Sequence, residues 1–163
     1  KSLSEADLLG AAREIMEKAA AQGVEIVLPV DGVVAEQLAP GADCRTAKIE
    51  AVGDAEMILD VGPASVIDIK DKLEGVKVLL WNGRMGAFEV PPFDAGTTDV
   101  AKAAAVLTQQ GKLKTVAGGG DTVSALAHAG VLDKFSYVST AGGAFLEWLE
   151  GKTLPGVAAL ESS

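Results

Sequence analysis

The chain alternates short apolar runs with amphipathic stretches, and the two kinds of block follow one another to the end. Leu8, Ala12, Ile15 and Ala19 recur at helical spacing. They predict a helix over 5–22, opened by Ser4 and Asp7 in the manner of a capping box and closed by Gly23. The continuous run Val24–Val30 predicts a strand buried on both faces. Met57–Val61 and Val76–Trp81 predict two more strands, with a helix between them running to Leu73. A helix over 97–110 buries Val100, Ala103, Ala104 and Leu107. A strand over 114–117 then leads into Gly118-Gly119-Gly120 and a helix over 121–129 that stops at Gly130. A last strand over 135–138 precedes a helix that ends near Glu150, and the tail around Leu154-Pro155-Gly156 reads as irregular. Residues 31–55 carry no clear period.

Helix–strand alternation with apolar strands predicts an α/β fold, an open parallel sheet with helices on both faces in a Rossmann-like three-layer arrangement. The 163 residues are 48% hydrophobic, which is enough for one core and too much for wholesale disorder. A single domain over 1–163 is expected. The longest apolar runs are about six residues, far short of the roughly 20 that a membrane helix needs. Fourteen basic residues against 23 acidic ones leave a net charge of -9. No basic patch is visible, so neither nucleic acid nor an anionic membrane surface is an expected partner. A phosphate ligand stays open, because helix N-termini bind anions through backbone N–H groups. The single cysteine, Cys44, cannot form an internal disulfide and fits a reducing cytoplasm. The chain starts without methionine, and it is expected to be a processed chain or a piece of a longer one.

In an open parallel sheet, ligands gather at the carboxyl ends of the strands. Three such ends carry glycine here: Asn82-Gly83, Gly118–Gly120 and Ala141–Gly143. Two of them lead into helices, where free N–H groups and the positive dipole end await an anion. The same glycines also suit tight strand-to-helix turns, and both readings stand. Asp121 has two readings as well. It can cap its helix, or it can meet a phosphate through a shared Mg²⁺, which takes only one or two carboxylates. Gly151-Lys152-Thr153 is no P-loop, since the required glycine is Leu146 and a helix precedes it. Gly118-Gly119-Gly120 lacks the third dinucleotide glycine, position 123 being Val123. The lone His128 late in a helix reads as structural, with no cluster for a metal. No serine has a His/Asp relay for acyl transfer. Trp81 and Trp148 read as core or pocket wall, and Glu147 and Glu150 as a solvated face.

Several longer runs resemble phosphoglycerate kinase. They are Leu28-Pro29-Val30-Asp31, Trp81-Asn82-Gly83 with Met85-Gly86-Ala87-Phe88-Glu89, Val116 through Thr122, Val138 through Ala144 with Leu146-Glu147, and Leu149-Glu150-Gly151-Lys152 with Leu154-Pro155-Gly156-Val157. Their order and spacing match that family over essentially the whole chain. The match is to the last part of that enzyme, the C-terminal nucleotide-binding domain without its first βαβ units. The resemblance implies reversible phosphoryl transfer between ATP and 3-phosphoglycerate, with Mg²⁺ accompanying ATP or ADP. It implies that 3-phosphoglycerate is held by an N-terminal domain absent here, and that the parent enzyme is a cytoplasmic monomer. This chain alone is then expected to be inactive and able to self-associate through a truncated sheet edge. A non-catalytic nucleotide- or partner-binding module is the alternative expectation.

Residue by residue, the resemblance places Leu59 against the adenine, Asn82 and Gly86 at the nucleotide, and Glu89 on the ribose hydroxyls. It places Gly118, Gly119 and Gly120 under the phosphates, Asp121 on Mg²⁺ and Thr122 as a phosphate donor. Gly142, Gly143 and Gly119 would face the phosphoryl group in transfer. Two positions depart from the family's pattern. Arg84 stands where proline is usual, and Ala141 where glycine is common, so Ala141 requires a negative φ.

Overall fold

A computed structural model of the chain describes residues 6–139 and 141–161. Its elements in chain order are α1 (Leu9–Ala21), β1 (Asp31–Ala35), β2 (Arg45–Lys48), β3 (Met57–Val61), α2 (Pro63–Gly75), β4 (Val78–Asn82), α3 (Ala95–Gln109), β5 (Lys114–Gly118), α4 (Gly120–His128), β6 (Tyr137–Ser139), α5 (Gly142–Leu149) and α6 (Pro155–Glu161). The α/β fold with an incomplete open parallel sheet is as the alternation predicts. That sheet has the order β4-β5-β6, with both pairs parallel. A 3-10 turn over Ala6–Leu8 leads into α1, whereas the Ser4 cap lies outside the described residues.

Two expectations fail. Val24–Val30 is not a strand: positions 24–29 are irregular, and Val24, Val27, Leu28 and Val30 are all exposed. The strand begins at Asp31, where the pattern was unreadable, and it is antiparallel to both of its neighbours in a second sheet of order β2-β1-β3. The physical reason is partnership. An apolar run becomes a buried strand only where neighbours cover both faces, and the run at 24–30 finds none among the described residues. The tail is also more regular than expected, because Pro155 occupies a first-turn position that suits proline and starts α6. Trp81 is buried as expected, while Trp148 is exposed.

Two buried carboxylates tie the antiparallel sheet to the helices. Asp31 at the start of β1 accepts hydrogen bonds from the N–H groups of Ala64 (3.0 Å) and Ser65 (2.8 Å) and from Ser65 Oγ (2.7 Å). A residue 33 positions away thus performs the N-cap function for α2, satisfying donors the helix cannot satisfy itself. Burial works to raise the Asp31 pKa, but the hydrogen bonds from Ser65 and Ala64 outweigh it and hold the carboxyl below its ordinary value. Asp60 in β3 does the same for α3, where Gly96 N–H donates to it at 2.7 Å. A Cβ on Gly62 would fall 2.2 Å from the Asp31 carboxyl carbon, so only glycine leaves Asp31 its place.

One face of the parallel sheet is sealed. Trp81 and Ala117 pack with Val100, Ala101 and Ala104 of α3, Leu126 of α4 and Leu73 of α2. Fully burying a side chain such as Leu126 contributes roughly 1.5–3 kcal/mol. The register aligns Leu80 with Val116 and Val116 with Tyr137, all on the other face by strand alternation. Val78, Leu80 and Tyr137 there are exposed, and β4 is an edge of the sheet.

Candidate functional site

The parallel register brings three strand ends together. Asn82 pairs with Gly118, and Gly118 with Ser139, so the carboxyl ends of β4, β5 and β6 stand in one row. Gly119 alone separates β5 from α4, and α5 starts three residues after β6. Two helix N-termini therefore open on the same edge. Gly119 has φ +102° and ψ 143°, a conformation that side-chain-bearing residues rarely adopt, and it supplies the N-cap position of α4. A Cβ on Gly142 would lie 2.5 Å from Gly119 Cα, so the two glycines are in direct backbone contact. Ser139 C=O accepts from Gly119 N–H at 3.3 Å, and Gly119 C=O accepts from Val123 N–H at 2.9 Å. The N–H groups of the first turn ahead of Val123 have no acceptor within the helix. Ala141, the N-cap of α5, has φ -88°, as alanine requires.

Side chains lock this edge. Asn82 Nδ2 donates to Gly118 C=O at 3.1 Å. Thr122 Oγ1, fully buried, accepts from Gly83 N–H at 2.7 Å, and the hydroxyl keeps its own proton to donate. Trp81 Nε1 donates to Gly83 C=O at 2.7 Å. The β4 loop is thereby fixed to α4. Asp121 settles one of its two readings. It sits inside the first turn, makes no side-chain cap hydrogen bond, and leaves the N-cap position to Gly119. It is exposed. Among the described residues no three His, Cys, Asp or Glu side chains are grouped to hold a metal by themselves. A single exposed carboxylate beside two helix N-termini suits a cation that brings most of its ligands with it.

The loop after β4 turns back onto β3, with Ala87 N–H donating to Leu59 C=O at 2.9 Å. Leu59 is half-buried there, in a cleft that also contains Pro29, Ile58, Arg84, Met85 and Gly86. Gly86 has a steric task in this loop, since a Cβ would fall 2.2 Å from Asp60 Oδ1. Glu89 is half-exposed and paired with Arg84. His128 is not an isolated histidine: its Nε2 lies 2.9 Å from Asp94 Oδ2, and its ring meets Phe88 edge-on.

The sequence reading missed Asp60. This carboxylate is 1% exposed, and burial pushes its pKa up to about 6 against the hydrogen bonds from Gly96 and Val61. The signal was present, as an aspartate inside the apolar run Met57–Val61 that burial would penalise without partners.

The family model described as phosphoglycerate kinase matches residues 1–152. The chain belongs to the phosphoglycerate kinase family. Its phosphoglycerate kinase relatives include that of Azorhizobium caulinodans, 61% identical over 160 residues, and that of Rhodospirillum centenum, 60% identical over 160 residues. Each match covers 98% of this chain and 40% of the relative, so the chain spans about 40% of the length of these relatives. The structure of phosphoglycerate kinase from Coxiella burnetii superposes with a TM-score of 0.92 at 42% identity, covering 99% of this chain and 41% of that one. That from Pyrococcus horikoshii gives a TM-score of 0.77 at 26% identity, covering 95% and 36%.

Proposed function

We propose that this chain is the nucleotide-holding part of a phosphoglycerate kinase, and that Mg·ADP or Mg·ATP binds across the carboxyl ends of β4, β5 and β6. The observation that carries this reading is the contact of Gly142 with Gly119, which turns two helix N-termini toward one place. Phosphate oxygens would accept from the backbone N–H groups of Gly120, Asp121 and Thr122, where the helix dipole favours negative charge. Gly118 and Gly119, whose own N–H is held by Ser139, would form the loop beneath them. Asn82 retains one amide proton for the same purpose. Leu59 would pack on the adenine, Gly86 would border it, and Glu89 would accept from the ribose hydroxyls. Asp121 would hold Mg²⁺, which when bound offsets charge between the phosphates.

In the transfer itself the chain's residues position and stabilise without forming a covalent bond. Gly142 and Gly143 at the start of α5 would face the phosphoryl group as it moves between ADP and the carboxylate of 3-phosphoglycerate. The acceptor is assigned to a further domain of the longer enzyme, so the chain alone is expected to turn over no substrate. The parent enzyme is read as a monomer of the cytoplasm. A second reading, a partner-binding module, is favoured by one observation: the exposed row Val78, Leu80 and Tyr137 beside an open strand edge.

Calorimetric titration tests the first reading. Mg·ADP should bind the chain, and Asp121→Asn should weaken it about tenfold, or about 1.4 kcal/mol. Metal-free ADP should lose little on the same substitution, because the carboxylate acts through the cation. Equal affinity of both proteins for Mg·ADP would overturn the assignment of Asp121.

A further inference from the structure

Glu89 does not stand alone in the loop after β4. Arg84 Nη1 donates to Glu89 Oε1, and the guanidinium carbon lies 5.8 Å from the centre of the Phe88 ring. Phe88 is 5% exposed, and its ring is packed edge-on at 5.9 Å from the ring of His128. The bond to Arg84 engages Oε1, and Oε2 is left for another donor. An exposed ion pair by itself contributes little, because holding two long side chains costs entropy. Here a buried ring supports the guanidinium, and cation–π contact at this distance restricts the arm before any ligand arrives.

We propose that Arg84 is a positioning residue, holding Glu89 so that Oε2 faces the vicinal hydroxyls of a bound ribose. The inference rests on the reading of Glu89 given above. Its chemistry is preorganisation. A free glutamate loses rotamer freedom when it first meets a ligand, whereas a glutamate already held by Arg84 has lost it beforehand and binds the hydroxyl pair more tightly. A lysine would keep the charge but not the flat guanidinium that lies over Phe88.

The test compares Mg·ADP with Mg·2′,3′-dideoxy-ADP by calorimetry, using the whole chain and its Arg84→Ala, Arg84→Lys and Glu89→Gln variants, each checked for an unchanged melting temperature. The chain should prefer the hydroxylated nucleotide by about tenfold. Arg84→Ala should reduce that preference to about threefold while leaving dideoxy-ADP unaffected, and Arg84→Lys should fall between. Glu89→Gln should remove the preference, and adding Arg84→Ala to it should change nothing further. If Arg84→Ala keeps the full preference, or weakens both nucleotides alike, the positioning role is wrong although Glu89 still reads the ribose. If the unsubstituted chain shows no preference, the role of Glu89 falls and the inference falls with it. Absence of binding by either nucleotide would overturn the nucleotide reading itself.

Discussion

Gly142→Ala is expected to weaken Mg·ADP binding by about a hundredfold. The added methyl would stand 2.5 Å from Gly119 Cα and 3.0 Å from Gly119 N. These are backbone atoms, so no side-chain rotation relieves the overlap. Gly119 cannot yield easily either. Its φ of +102° places it where few alternatives exist, and its N–H and C=O are bonded to Ser139 and Val123. The relief must come from moving α5 away from α4 by about an ångström, a displacement that misaligns preset N–H donors. A hydrogen bond to a charged phosphate contributes about 1.5–3 kcal/mol, so losing one or two accounts for a hundredfold. Gly75→Ala is the control. Nothing lies within 4 Å of its added Cβ, it is remote from the strand ends, and its binding should match that of the unsubstituted chain. Calorimetry reads the affinity, and circular dichroism shows that the sheet persists. Undiminished binding by Gly142→Ala would mean that the two helix ends do not act together.

Asp60 should make folding stability depend on pH in an uncommon direction. Its folded pKa of about 6 lies above the ordinary carboxyl value of 3.8. The cause is burial first, opposed by the Gly96 and Val61 hydrogen bonds and reinforced by the charges of Asp94 and Asp99. The folded chain therefore binds the Asp60 proton more tightly than the unfolded chain does. Its contribution is fully present below about pH 4 and is lost as pH rises through about 6. The size is on the order of 3 kcal/mol, because each tenfold gain in proton affinity corresponds to about 1.4 kcal/mol. Other carboxylates, such as Asp31 and Glu56, are held below their ordinary values and act oppositely at low pH. The quantity to follow is therefore the difference in unfolding free energy between the chain and Asp60→Asn. Urea unfolding from about pH 4 to about pH 7.5 should show the chain losing stability relative to the variant as pH rises. A constant difference across that range would mean that the Asp60 carboxyl is not perturbed in the fold.

The parallel sheet was legible because Val76–Trp81 and the run at 114–117 are short apolar stretches flanked by helical periodicity, and because glycine follows each strand end. Met57–Val61 reads as a strand by the same pattern, but it pairs antiparallel with β1 in the second sheet. The rest of that second sheet was not legible. Its strands β1 and β2 carry Asp31-Gly32 and Arg45-Thr46, which no hydrophobic period marks. β1 is buried by antiparallel pairing on both sides and by Asp31 capping a helix 33 residues away, whereas β2 stays largely exposed with only Ala47 buried. Val24–Val30 misled for the converse reason, since its composition suits a strand that no neighbour among the described residues completes. The row of strand ends at Asn82, Gly118 and Ser139 followed from topology alone. The contact between Gly119 and Gly142 did not, because spacing reports order along the chain and not approach in space. Arg84 was noticed as a departure from the family's pattern, but its partners Glu89 and Phe88 needed the loop's path to be seen.

Amide NMR of the chain during titration with Mg·ADP tests the account most directly, because it reports where the nucleotide sits. The largest shifts should fall on Asn82 and Gly83, on Gly118 through Thr122, and on Gly142 and Gly143, with smaller ones at Leu59 and Glu89. Shifts confined elsewhere, such as to the cleft lined by Val34, Glu36, Cys44 and Glu56, would contradict the account, as would a titration that moves no amide at the three strand ends.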